Sequence, residues 1–186
     1  MNKSRLKDIF LRWRVTPASK EDLQKAQVIV THCAELLQGG KPGQGNILIA
    51  EHADKLHKVI GLPIIAQREI LVAKPDLEVF AVVGAGPNDT VRNRPADTRE
   101  VCLAQKKICD EQGWKNVLVV TFPDHMWRAC EVYKKIGLNP IPAVMLGHPK
   151  IYYEKNARRW QLRNRAKFKY FWEVPARLLF LKRDWM

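Results

Sequence analysis

Residues 116–122 (NVLVVTF) constrain the fold more than any other stretch of this chain. Val117 to Val120 leave no polar face, so a strand here must be covered on both sides, as in a parallel sheet. A turn with Pro123 and Asp124 follows, with Asp124 placed to cap a helix whose inward positions are Ala129, Val132, Tyr133 and Ile136; Gly137 stops it. A buried strand running directly into an amphipathic helix is the repeating unit of an α/β fold with right-handed crossovers.

The rest of the chain repeats that alternation. Residues 28–31 are a short β-branched run after a helical-looking segment at 20–27. Asn46 opens a stretch with Ile49, Ala53, Leu56 and Ile60 on one helical face, and Gly61 ends it. Residues 62–66 and 78–83 read as strands, with Pro75-Asp76 turning between them. Asp97 or Thr98 caps a helix with Val101, Ala104 and Ile108 inward, closed by Gly113, and residues 141–146 form a last strand interrupted by Pro142. The expected architecture is a three-layer Rossmann-like α/β fold with a mostly parallel sheet. It spans residues 21–149, between a basic N-terminal segment (1–20) and a basic, aromatic, helical C-terminal tail (150–186).

Charge follows the same division. The 186 residues carry a net charge of +13; residues 1–20 contribute +5 and residues 150–186 contribute +8, leaving 21–149 neutral. No stretch of about 18 uncharged apolar residues occurs, so a spanning helix is excluded. Charges interleave with apolar residues at the N-terminus, which does not read as an export signal, and the expected location is cytoplasmic, peripheral to the membrane if the tail binds one. The cysteines (Cys33, Cys102, Cys109 and Cys130) form no CxxC pair and are expected as reduced thiols; no metal site is expected.

In open parallel sheets, ligands bind beyond the carboxyl ends of the strands. The residues there include Thr31-His32, Gln67-Arg68-Glu69, Gly84 and Thr121 to His125. His125 and Arg128 are three apart in the first turn of a helix, hence on one face, where an imidazole and a fixed cation suit an anion or phosphate. The bland alternative is a solvated helix start with Arg128 paired to Glu131 or Asp124. Residues 88–100 (NDTVRNRPADTRE) hold oxyanion-binding groups, Arg92, Arg94, Thr98 and Arg99, while Asp97 with Glu100 also fits a structural capping box. Glu69 is a candidate carboxylate at a strand end, and Glu173, one of three acids in the tail, a candidate for a buried ion pair. There is no GxGxxG. The glycine-rich residues 39–45 lack a P-loop ending and read as a loop that could fold over a pocket as a lid.

The run VLVVTFPDHMWRACEVYKKIGLNPIP resembles the signature of the YdcF-like family, which includes SanA and ElyC-type envelope proteins. The matching residues are Val120-Thr121, His125-Met126-Trp127-Arg128-Ala129, Gly137-Leu138 and Ile141-Pro142, with Asp97-Thr98-Arg99-Glu100 similar to an upstream helix start. The likeness covers about residues 26–145 and extends to the Arg-rich end with Glu173. It departs at residues 31–35 and 66–69, where the family carries glycines and this chain does not. The resemblance implies a Rossmann-like sheet with a polar pocket, S-adenosylmethionine binding in one branch, and envelope or lipid-carrier metabolism in others.

Two functional readings follow. In the first, a nucleotide-like or phosphorylated small molecule sits at the strand ends. Arg128, Thr98, Arg99, Asp97, Thr121, Gly84, Thr31 and His32 line its site, and His125 and Glu69 are the candidate catalytic groups. Whether such a protein is an enzyme is left open. In the second, a non-enzymatic adaptor acts through its basic ends on an anionic membrane surface or nucleic acid. The tail carries nine of the sixteen aromatics among its Lys and Arg residues, a mixture that suits either partner or simple packing onto the domain.

Overall fold

The computed structural model describes residues 15–34, 36–84, 97–143, 149–158 and 160–182. Residues 1–14, Glu35, Gly86, Arg92, Arg94, residues 144–146 of the last expected strand, and Trp185 lie outside that set. A short helix α1 (Lys20–Lys25), held by a capping box between Ser19 and Asp22, leads into β1 (Val28–Thr31). There follow α2 (Gln44–Ile60), β2 (Ile64–Gln67), α3 (Arg68–Ala73), β3 (Ala81–Val83), α4 (Thr98–Glu111), β4 (Asn116–Val120), α5 (Pro123–Lys135) and β5 (Asn139–Pro142).

The five strands form one all-parallel sheet in the order β3-β2-β1-β4-β5. Every residue of β1 is buried, and its ladder to β4 aligns Val28 with Val117 and Thr31 with Val120. Alternate strand residues feed two separate cores. Ile29, Ile64, Leu118 and Val120 pack under α2 and α3, whereas Val28, Val30, Val117 and Val119 pack under α4 and α5. This makes three layers, helix–sheet–helix, as the periodicity predicts.

Three local readings need correction. Helix α3 occupies residues expected to precede a simple turn; its first residue has no side-chain cap, so no start signal marks it. Asp124 does not cap α5. Pro123 takes the first helical position, where its missing N–H costs nothing, and Phe122 becomes the cap residue. Asp124 is instead buried and ion-paired, as described below. The glycine-rich segment is not placed as a lid. Gly39 and Gly40 turn at positive φ, Gly43 caps α2, and Gly45 lies so close to Ala34 that an added Cβ would approach its Cβ to 2.8 Å.

The C-terminal arm folds back over the sheet's carboxyl edge. Leu37 bridges Ala157, the Arg158 N–H donates to the Leu36 carbonyl, and the Gln44 N–H donates to Glu154. Tyr152 and Phe168 are buried against Phe122, so part of the tail packs on the domain. After α6 (Arg165–Lys167) the chain winds as a π-helix over Phe168–Glu173 and continues as α7 (Val174–Lys182). Pro175 has no N–H to return to an earlier turn, an interruption that a wider winding absorbs. The wider winding also decides which side chains go in. At α-helical pitch, positions five apart diverge by about 140°; here Phe168 and Glu173 are both buried, while Tyr170 and Phe171 point out.

Candidate functional site

A cavity of about 100 Å³ opens at the carboxyl edge between β1, β2 and β4. Its walls come from every layer: His32 and Cys33 after β1, Gln67 and Glu69 from β2 and α3, Asp97 and Thr98 at the start of α4, and His125 and Arg128 from α5. Phe168 and Trp172 of the C-terminal arm close one side. Six residues singled out from sequence therefore converge: His32, Glu69, Asp97, Thr98, His125 and Arg128. Four others do not line the cavity. Thr31 ties two strands together, its hydroxyl accepting from the Gln67 N–H at 3.0 Å. Thr121 is fully buried. Gly84, at φ +107°, brings its backbone beside Gln67 and Glu69, and Arg99 lies in the first turn of α4.

Arg128 pairs with neither Glu131 nor Asp124. Its Nε donates to Glu173 at 2.9 Å and its Nη1 to the Thr98 hydroxyl at 2.6 Å. Glu173 is fully buried and also accepts from Arg177 Nε at 3.0 Å; Arg177 in turn lies 4.5 Å over the Trp127 ring. Burial opposes ionisation of Glu173, but Arg128, with His125 and Arg177, outweighs it and holds the carboxyl down at about 2. The expected ion pair of Glu173 is present, and it supplies Arg128's partner from 45 residues away. Asp124, 1% exposed, anchors the same arm: Arg165 grips it with Nε and Nη2 at 2.5 and 2.7 Å, and Tyr153 donates to it at 2.8 Å.

Two histidines meet edge to face, ring centroids 5.7 Å apart. His125 stacks on Phe122, lies 3.5 Å from the Thr98 hydroxyl through Nε2, and brings Nδ1 to 3.9 Å from Glu173. An unperturbed imidazole titrates near neutrality. Burial instead lowers it, helped by Arg128 and only partly offset by Glu173, to about 4, so His125 is a neutral ring at physiological pH. His32 is likewise lowered well below its ordinary value, first by burial and then by His125 and Arg128. A neutral imidazole can accept a proton or a hydrogen bond.

Behind His32 lies a layer to which sequence reading assigned no role in the site. His32 Nε2 is 2.8 Å from the Tyr133 hydroxyl, which also contacts Gln105, and Cys102 Sγ is 3.7 Å from the same nitrogen. Gln105 was detectable as the one amide inside the apolar stripe of α4, between Cys102 and Cys109. Tyr133 left no such trace, because a tyrosine in an apolar stripe reads as core. No group of acids, histidines and cysteines suited to a metal occurs among the described residues.

The fold and site together define a three-layer parallel α/β protein with a polar cavity at its carboxyl edge. No family model matches the chain, and neither a curated protein nor a solved structure matches it.

Proposed function

We propose that the chain binds a nucleotide-like or phosphorylated small molecule, its anionic group held on the Arg128 side of this cavity. The observation that carries the reading is the convergence of Arg128, Thr98 and His125 on one cavity at the sheet edge. A guanidinium has five N–H donors, and Glu173 and Thr98 engage two of them among the described residues, leaving donors for a bound oxyanion. Arg128, Glu173 and Arg177 together carry one net positive charge, since both histidines are neutral. The cavity is smaller than the roughly 300–1,000 Å³ of pockets that enclose whole drug-sized ligands, so a phosphoryl-sized group enters and the remainder extends outward. Neutral His125 supplies a proton acceptor beside it, the group on which an enzymatic role would turn. The resemblance to YdcF-like proteins agrees with this reading, since the block that carries it contributes both His125 and Arg128; S-adenosylmethionine and lipid-carrier phosphates therefore belong among the ligands tested.

The test is a thermal-shift screen over nucleotides, S-adenosylmethionine, sugar phosphates and polyprenyl phosphates, followed by calorimetry. A phosphorylated ligand should stabilise the wild type, and Thr98→Val and Arg128→Lys should each weaken it tenfold or more. If no phosphorylated compound shifts the transition, or the variants bind equally well, the proposal is wrong.

A second reading rests on a different observation. Tyr170, Phe171 and Trp172 are exposed on the arm beside Lys167 and Lys169, and Trp172 also lines the cavity. Aromatics among lysines suit an anionic bilayer surface, where each cation contributes about 1 kcal/mol. Flotation with phosphatidylglycerol vesicles, lost on Phe171→Ser with Trp172→Ser, would support it; flotation unchanged by the double variant would not.

A further inference from the structure

The hydrogen bonds behind His32 fix where its proton sits. Gln105 is fully buried, and its Nε2 donates to the carbonyls of Thr31 at 3.1 Å and Ile65 at 3.5 Å. Its amide orientation is thereby set, and only Oε1 is left for Tyr133. The tyrosine hydroxyl has one proton, which it donates to that oxygen. Toward His32 the hydroxyl can then only accept, so the proton of the neutral ring is on Nε2. Nδ1 is left as a bare acceptor, without a partner among the described residues, in a ring that lines the cavity. Glu69 also lines the cavity, and its Oε2 is enclosed and accepts no hydrogen bond among the described residues.

Both groups are acceptors that a ligand filling the cavity would cut off from water, and leaving such an acceptor unpaired is costly. An oxyanion satisfies neither; a hydroxyl satisfies either. We infer that His32 and Glu69 take hydroxyl donors in this cavity, so that the ligand is a phosphorylated polyol, a sugar phosphate or the ribosyl phosphate part of a nucleotide. This inference rests on the phosphate reading above and adds a second, opposite demand to the same site. Arg128 and Thr98 take the charge. His32 and Glu69 take the hydroxyls, and Tyr133 and Gln105 act as positioning residues that hold the accepting tautomer.

Calorimetry on the full chain tests this with three probes: ribose 5-phosphate, n-pentyl phosphate and methyl ribofuranoside. The wild type should bind ribose 5-phosphate about tenfold or more tightly than pentyl phosphate, the worth of one or two well-made hydrogen bonds. Glu69→Gln and His32→Phe should remove that preference without weakening pentyl phosphate, which offers them no hydroxyl. Equal affinities in the wild type, or variants that weaken both phosphates alike, overturn the inference. If pentyl phosphate and ribose 5-phosphate both fail to bind, the phosphate reading falls by itself. The hydroxyl half is then decided by ¹⁵N NMR of His32, which should show the Nε2–H tautomer and a shift on adding methyl ribofuranoside. A ring protonated on Nδ1, or one that does not respond, refutes it even if every variant fails to fold.

Discussion

Replacing Glu173 by glutamine removes one charge from the most deeply buried ion cluster of the described residues and leaves the shape nearly unchanged. In the wild type the carboxyl is held at about 2 rather than 4.5, which is on the order of 3 kcal/mol of folding free energy. A carboxyl depressed on folding stabilises fully above its unfolded pKa, and the contribution drains away as pH falls through the folded value. The expected difference between wild type and Glu173→Gln is therefore about 3 kcal/mol at pH 7, falling to less than half of that near pH 3. For a chain of this length the pH 7 value corresponds to a melting temperature lower by about 6–12 °C. Urea unfolding followed by circular dichroism at several pH values, with a common m-value, measures it directly. A loss below about 1 kcal/mol at pH 7, or one that is the same at pH 3 and pH 7, would show that burial of the Arg128–Glu173–Arg177 cluster does not hold the arm in place.

Three further outcomes are expected. Because His125 is lowered from 6.5 to about 4, the folded state binds fewer protons than the unfolded chain in that interval, so wild-type stability should decline as pH falls from 6.5 toward 4, with a shallower slope in His125→Phe; an identical slope would place the ring in solvent. Thiol titration of the native protein should give one fast equivalent, Cys33, since burial raises the thiols of Cys102, Cys109 and Cys130 and encloses all three; two or more fast equivalents would contradict the packing of α4 and α5. Gly45→Ala should cost about 1–3 kcal/mol by overpacking against Ala34 and the neighbouring Tyr152, and a neutral effect on urea unfolding would mean the arm does not press on α2 there.

Local chemistry made the sheet readable. Strands β1 and β4 announce themselves because a parallel strand covered on both faces must be apolar throughout, and α4 because Asp97 and Glu100 form its capping box. Helix α3 was hidden because six residues with no capping side chain carry neither a boundary nor two full turns of apolar repeat. Half of the site was readable too, since His125 and Arg128 share a helical face. Their environment was not. Glu173, which pairs with Arg128, and Arg165, which grips Asp124, come from an arm whose return depends on contacts 41 and 45 residues apart. The same distance hides the lowered proton affinity of His125: three residues of spacing reveal its neighbour, whereas its burial under Phe122 and the arm is set by tertiary packing.

That dependence on residue 173 has a consequence for synthesis. The strands, both histidines and Arg128 are all translated before the carboxylate that neutralises the guanidinium, a lag of about 2–9 s at 5–20 residues per second. During that interval the growing chain holds an unbalanced cation at an open sheet edge, where any passing anion can occupy it first. Any fusion that delays or tethers the last helix prolongs the interval.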